Sequence, residues 1–297
     1  MKVLCIGHAT YDVVILVDNY PVENTKNRVD SVTYCGGGPS SNAAYLLGKW
    51  GIDAYFCGSV GDDYPARVIE SELKRVNVNL DYLIKDKNIK TTKSYIIVNK
   101  TNASRTTLSM KSKNKDINDI DISFKPDIIL VDGHEAELSK KIINANKDSI
   151  VVIDAGKCTS DVIELCKLSD YIVCSKTFAL DYTNSDDVNI MLERLNNDFA
   201  GEVVITLESD GCAYYDNGVK KIKSIPVKAV DTTGAGDIFH GAFVYGIANN
   251  WDMYKILTFA SVASGLSVTK LTGRKSVFPL SIVEDVYNEL RRRNFYW

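Results

Sequence analysis

The stretch Asp231-Thr232-Thr233-Gly234-Ala235-Gly236-Asp237-Ile238-Phe239 holds the densest set of residues able to do chemistry. Gly234, Ala235 and Gly236 carry almost no side chain, so their backbone N–H groups are open to a close-lying anion. The small, apolar pattern over 238–248 predicts a helix beginning there. A glycine turn feeding a helix amino end gathers unpaired N–H groups at the positive end of the helix dipole, which suits a phosphate. Asp237 stands beside that place. It fits two roles: a first-turn acid favoured by the dipole, or a base that takes a proton from an attacking hydroxyl.

A second candidate is Cys35-Gly36-Gly37-Gly38-Pro39-Ser40-Ser41-Asn42. Gly37 and Gly38 would let a ligand approach the backbone, and Asn42 can both donate and accept hydrogen bonds. Ser40 or Ser41 is the expected cap of the helix that follows. The plainer reading is an ordinary tight turn. The third candidate is Asp12, just beyond the first apolar run and its Gly7-His8-Ala9-Thr10 turn. Ligands of open α/β sheets gather beyond the carboxyl ends of strands, where an acid can hold sugar hydroxyls; a turn cap is the alternative. Nucleotide motifs of other kinds are missing. There is no Gly-x-x-x-x-Gly-Lys-Ser/Thr, no Gly-x-Gly-x-x-Gly after the first apolar run, and no Gly-x-Ser-x-Gly.

Elements must hold these residues in place. Apolar runs at 3–6, 54–57, 128–131, 150–153, 171–174 and 203–207 lack the alternation of a one-sided strand. They read as strands covered on both faces, as in a parallel sheet. Helical patterns at 41–50, 64–75, 135–146, 159–168, 185–199 and 237–249 lie between them. That alternation predicts a doubly wound α/β sheet. Segments 12–17, 28–34, 94–98 and 105–110 mix β-branched and polar residues and read as strands with one exposed face. They predict a small β subdomain inserted discontinuously. The polar stretch 111–121 reads as a surface loop.

Composition narrows the function classes. The 297 residues suggest about two domains at roughly 150 residues each. Lys plus Arg number 35 against 38 Asp plus Glu, a net charge of −3, which offers no electrostatic case for nucleic acid. Arg291-Arg292-Arg293 reads as a solvated helix end. The seven cysteines form no Cys-x-x-Cys pair and give no zinc spacing. An odd count behind a non-secretory start points to the reducing cytoplasm. No apolar run approaches the roughly 18 residues of a membrane span.

Together these motifs resemble the ribokinase-like, or PfkB, sugar kinases from residue 3 to about residue 279. The 231–237 stretch is similar to that family's carboxyl-terminal motif. Gly36-Gly37-Gly38 with Asn42 and Gly51 is similar to its amino-terminal motif, and Gly58-Ser59-Val60-Gly61-Asp62-Asp63 to its next turn. Thr206-Leu207-Glu208-Ser209-Asp210-Gly211 stands at its nucleotide loop. The resemblance implies a three-layer α/β/α sandwich with a mostly parallel sheet and a β-sheet lid. The core would take 1–10, 36–93 and 111–297, the lid 11–35 and 94–110.

The resemblance also implies roles. Asp237 would be the base, with Gly234, Ala235 and Gly236 as the anion hole. Asp12, Gly37, Gly38 and Asn42 would hold the sugar. Arg105, read from its own chemistry, fits two roles: a planar fork of donors reaching the substrate or the transferring group, or an exposed strand residue in an ion pair. Ser175, Thr206, Glu208 and Gly211 would line the nucleotide site, with Ser261 or Ala263 near the adenine. ATP and Mg2+ are the expected cofactors. Potassium would bind at Asp231 and Thr233, completed by Ser267, Gly273 and Ser276. A homodimer through the lids, using apolar residues such as Val13, Ile15, Val32 and Ile97, is the expected assembly. The family's Asn-x-x-Glu is replaced by Ser175-Lys176-Thr177-Phe178, and Glu208 stands where many relatives have Gly. Ser175-Lys176 and Ser104-Arg105-Thr106 are similar to elements of ketohexokinases, which tilts the expected substrate toward a ketohexose such as fructose. An anionic sugar handled by Lys26, Arg28 or Arg105, a nucleoside, and a non-catalytic sugar-binding regulator are the alternatives. His134 and Glu135, just past the 128–131 run, are expected to border the pocket; His8 and His240 lie near the candidate sites in sequence, where packing or local hydrogen bonding is the plainer role.

Overall fold

The computed structural model describes residues 1–29, 31–112, 120–293 and 295. Most of the loop expected at 111–121, and position 30 of the strand expected at 28–34, lie outside the described residues. In chain order the elements are β1 (Lys2–Ile6), β2 (Thr10–Val17), β3 (Val32–Gly37), α1 (Pro39–Lys49), β4 (Asp53–Gly61), α2 (Tyr64–Arg75), β5 (Asn79–Asp86), β6 (Lys93–Asn99) and β7 (Arg105–Met110). There follow β8 (Ile128–Val131), α3 (Ala136–Ala145), β9 (Ile150–Ala155), α4 (Ser160–Cys166), β10 (Tyr171–Ser175), α5 (Lys176–Thr183), α6 (Val188–Asp198) and β11 (Glu202–Thr206). β12 (Cys212–Tyr215), β13 (Val219–Ile222), α7 (Ala235–Ala248), α8 (Met253–Ser267) and α9 (Leu280–Arg292) complete the chain.

The large sheet runs β13-β12-β11-β10-β9-β8-β1-β4-β5. Every pairing from β11 to β5 is parallel; β12 is antiparallel to both its neighbours. Successive side chains of a strand face opposite layers, so a continuous apolar run feeds two cores. Val3 and Cys5 of β1 join Leu46 of α1, Ile69 of α2 and Phe243 of α7. Leu4 and Ile6 join Ile142 of α3, Leu165 of α4 and Leu192 of α6. The result is the expected three-layer α/β architecture with a mostly parallel sheet.

The second sheet runs β3-β2-β6-β7, with β2 antiparallel to β3 but parallel to β6. Its second strand in the sequence differs from expectation. β3 starts at Val32 and continues through Gly36 and Gly37, because the ladder with Tyr11 and Thr10 extends that far. The apolar residues expected on its open face also need correction: Val13 is buried. Tyr34, Val13, Tyr95 and Leu108 form one row across the four strands, and Tyr34 (54% exposed), Tyr95 (36%) and Leu108 (58%) are the open members.

A further correction concerns the start of α1. Neither serine caps it. The cap is Gly38 (φ 95°), and Pro39 takes the first helical position, where its missing N–H does no harm. Ser40 and Ser41 are buried in the first turn, and Ser40 Oγ donates to Ile6 O at 2.9 Å. No helix among the described residues is long and apolar enough to cross a membrane.

Candidate active site

The amino end of α7 is built as a seat for an anion. Gly234 caps the helix in the left-handed region (φ 77°), and a Cβ there would lie 2.9 Å from the Gly273 backbone. Glycine is therefore needed twice over. Ala235 N donates to Thr232 O at 3.3 Å, and Ile238 N to Gly234 O at 2.9 Å. Between them, among the described residues, the N–H groups of Gly236 and Asp237 find no acceptor. A Cβ on Gly236 would meet nothing within 4 Å, so the space above these donors is open.

Asp237 lies in the first turn of α7, half-buried, and its Oδ2 accepts from Asn42 Nδ2 at 2.7 Å. Burial raises its carboxyl above the ordinary range, while the Asn42 bond and the charges of His240 and Arg105 oppose that. A raised carboxyl is a better proton acceptor at neutral pH than an ordinary one. Asn42 is on α1, so α1 and α7 meet at this hydrogen bond.

The glycine turn before α1 is shaped by side chains. Asp12 is buried, accepts from Thr10 Oγ1 at 2.6 Å, and has its Oδ2 where a Cβ on Gly37 would stand. Burial pushes the Asp12 carboxyl up to about 6, against the Thr10 bond and the charge of Arg274; Asp237 and Glu72 add to the rise. Asp12, Asn42 and Asp237 thus lie together. Gly38 backs on to the His8 carbonyl.

Arg105 opens β7 and donates from Nη1 to Thr232 Oγ1, joining the small sheet to the loop that leads into α7. Its charge also acts on Asp237. Lys26 and Arg28 instead lie exposed between β2 and β3.

Ser175 and Thr206 are partners in register at the carboxyl ends of β10 and β11. Ser175 caps α5, accepting from Phe178 N at 3.0 Å and donating to Gly156 O at 2.9 Å. Phe178, in place of an acid, is wholly buried. Glu208 has φ 56°, a left-handed conformation natural to glycine, and Gly211 N donates back to Glu208 O at 3.2 Å. Ser261 and Ala263, expected near the adenine, are both buried in α8, Ser261 against the Cys212 thiol. The α8 side chain that reaches the anion seat is Ser264, whose Oγ donates to Ala235 O at 2.9 Å.

Below the seat, Asp231 is 1% exposed and accepts from Thr233 N (2.8 Å) and Thr272 N (2.9 Å). Among the described residues no cationic side chain pairs with it, and Thr233 Oγ1 is buried without a partner. Ser276 Oγ donates to Gly273 O and Ser267 Oγ to Ser264 O, each at 2.7 Å, leaving their lone pairs unspent. A buried, uncompensated carboxylate beside an orphan hydroxyl is an all-oxygen set of the kind that hard cations take.

Three site residues were not singled out in the sequence. Asp132 and Asp154 each follow directly on an apolar run, at the carboxyl ends of β8 and β9. That is the signal that marked Asp12, and it could have found them. His134 stacks on His8, with ring centroids 4.4 Å apart and planes within 7°. Arg274, in the turn after α8, is 2% exposed and touches Ser41, Asn42 and Glu72. Nothing local separates it from the exposed Lys275 beside it.

Comparison with known proteins agrees with this geometry. The pattern of the pfkB family carbohydrate kinases matches residues 1–278. A nucleoside kinase from Methanocaldococcus jannaschii is 24% identical over 266 residues, 86% of each chain. A ketohexokinase from Mus musculus is 22% identical over 289 residues, 89% of this chain and 95% of that one. Among solved structures, a ribokinase from Thermotoga maritima superposes with a TM-score of 0.81 at 21% identity, over 97% of this chain and 99% of that one, a likeness of fold. The chain belongs to the pfkB family of carbohydrate kinases and is a sugar or nucleoside kinase of the ribokinase kind.

Proposed function

We propose that the protein transfers the terminal phosphoryl group of ATP to a hydroxyl of a small sugar, with a ketohexose such as fructose as the first candidate. The observation that carries this reading is the open amino end of α7 with Asp237 on its rim, tied through Asn42 to the Asp12 turn. Asp12, Asn42 and the backbone of Gly37 and Gly38 hold the sugar hydroxyls. Asp237 accepts the proton of the attacking hydroxyl. The open N–H groups of Gly236 and Asp237, in the turn made by Gly234 and Ala235, face the charge that builds on the transferring phosphoryl group. Arg105 brings a fork of donors from the small sheet to the same place. Ser175, Thr206, Glu208 and Gly211 border the nucleotide, with Ser261 and Ala263 packed beneath.

Mg2+, when bound, would neutralise phosphate charge and would be held chiefly through phosphate and water. Asp231 and Thr233 fit a potassium ion, with Ser267, Gly273 and Ser276 around it. Residues 11–35 and 94–110 act as the lid that excludes water. The row from Tyr34 to Leu108 is the surface through which two lids pair; sedimentation should return twice the chain mass.

The nucleoside kinase among the relatives favours a second reading, with a nucleoside as acceptor. One assay separates the two: purified protein with ATP, Mg2+ and, in turn, D-fructose, D-ribose, fructose 6-phosphate and adenosine. Asp237→Asn should lower kcat by about 10²–10⁴-fold. Undiminished turnover in that variant would sink the assigned base, and saturable binding with no transfer would favour a regulator.

A further inference from the structure

Arginine carries only donors, and an asparagine amide has one accepting and one donating end. Arg274 Nε donates to Asn42 Oδ1 at 3.3 Å, so the accepting end of Asn42 must face the guanidinium. The donating end is then turned the other way, on to Asp237 Oδ2 at 2.7 Å. An amide between two acceptors or two donors has no preferred sense. This one lies between a group that only donates and a carboxylate that accepts, so its sense is set from outside.

The guanidinium itself cannot drift. Nη1 donates to Glu72 Oε2 (2.9 Å) and to the Ile69 carbonyl (3.4 Å), and Nη2 to Ser41 Oγ. Glu72 Oε2 also accepts from Gly36 N at 2.8 Å. A Cβ on Gly36 would overlap the guanidinium, so the glycine leaves room for it. Four donated hydrogen bonds of rigid geometry thus lock α1 and α2 to the loop after α8, and Glu72 ties in the β3 turn.

We propose that Arg274 is a positioning residue, which holds the Asn42 amide so that it donates to Asp237 and leaves Asp237 Oδ1 free for the hydroxyl of the substrate. Without Arg274 only the carboxylate itself orients the amide, so Asn42 is free to swing off Asp237 Oδ2 and the base is no longer held in place. The inference rests on the proposed role of Asp237 as base.

The test separates positioning from a structural ion pair. Arg274→Lys keeps a cation for Glu72 but has no donor at the Nε position. Arg274→Met with Glu72→Gln removes both charges and leaves neither uncompensated. Both should fold, by thermal melt, and both should lose at least about tenfold in kcat, with KM for ATP unchanged. D-fructose or D-ribose serves as acceptor, whichever the wild-type protein turns over. In an Asn42→Ala background, Arg274→Lys should bring no further loss, because the two act in series. Wild-type kcat in Arg274→Lys, or losses that multiply in the double variant, would overturn the proposal. A second readout needs no turnover. The Asn42 side-chain amide resonance, assigned with Asn42→Ala, should move in Arg274→Lys and in Asp237→Asn alike. An unmoved resonance in Arg274→Lys overturns the positioning role even if the wild-type protein phosphorylates no acceptor, which would instead remove the kinase reading.

Discussion

The amino ends of α1 and α7 begin alike and finish differently. Each is capped by a glycine at positive φ, Gly38 at 95° and Gly234 at 77°, with no side-chain cap. They lie close, since a Cβ on Gly241 of α7 would be 3.3 Å from Ala43 of α1. At α1 the fold supplies its own anion. Asp132 Oδ2 accepts from Ser40 N (3.1 Å) and His8 N (2.8 Å), and Oδ1 from His134 N (3.1 Å). At α7 no internal carboxylate answers the Gly236 and Asp237 N–H groups among the described residues. Every helix amino end is an anion site in principle. Whether it serves structure or ligand depends on whether the chain has already filled it.

The comparison can be broken most severely at Asp132. Asp132→Ala should destabilise the protein by about 3–5 kcal/mol, measured by denaturant unfolding. Burial alone would raise this carboxyl, but the His134 charge and bond and the His8 N–H outweigh it and hold it below the ordinary range. A depressed carboxyl contributes its stability above the unfolded value and loses it as pH falls, so the gap from wild type should shrink in acid. Formate should bind the emptied α1 end and raise the variant's Tm. A gap that widens in acid would contradict the filled-site account.

Asp12 should behave in the opposite sense. Its folded value, about 6, is above the unfolded one, so its ionisation opposes folding as pH rises through 6. Asp12→Asn should therefore gain up to about 3 kcal/mol at pH 7–8 and nothing near pH 3, while sugar KM rises about 10–100-fold. Lower stability at pH 8 would refute this assignment. The smallest effect is expected at Gly236. The space there is open, so Gly236→Ala should change stability by no more than about 0.5 kcal/mol. Its methyl group would stand in the anion seat, and kcat/KM for ATP should fall about tenfold. Unchanged kinetics would mean that phosphate does not sit at α7.

Legibility in the sequence followed the range of the force involved. The buried strands β1, β8, β9 and β10 were visible because two covering layers demand continuous apolar runs. The edge strands β5 and β13 were not, since NLDYLIKD and VKKI are strands by virtue of a paired neighbour more than by composition. The helix α8 shows little one-sided patterning because it is covered nearly all round. At the site, Asp237, Asn42 and Asp12 could be named from their turns. Their meeting spans 195 residues for Asn42 and Asp237, and 232 for Arg274 and Asn42, and no local pattern encodes a closure of that length. Arg274 and Lys275 are neighbours in sequence, and only the tertiary fold decides which one is buried.

The turn at Gly36 and Gly37 has a consequence for how this sequence can change. The guanidinium of Arg274 fills the place of one missing side chain and the carboxylate of Asp12 the other. A larger residue at position 36 is admissible only after position 274 has shortened, and the reverse order is closed. Drift at these two positions, 238 apart in the chain, should therefore be ordered, with the arginine leaving first.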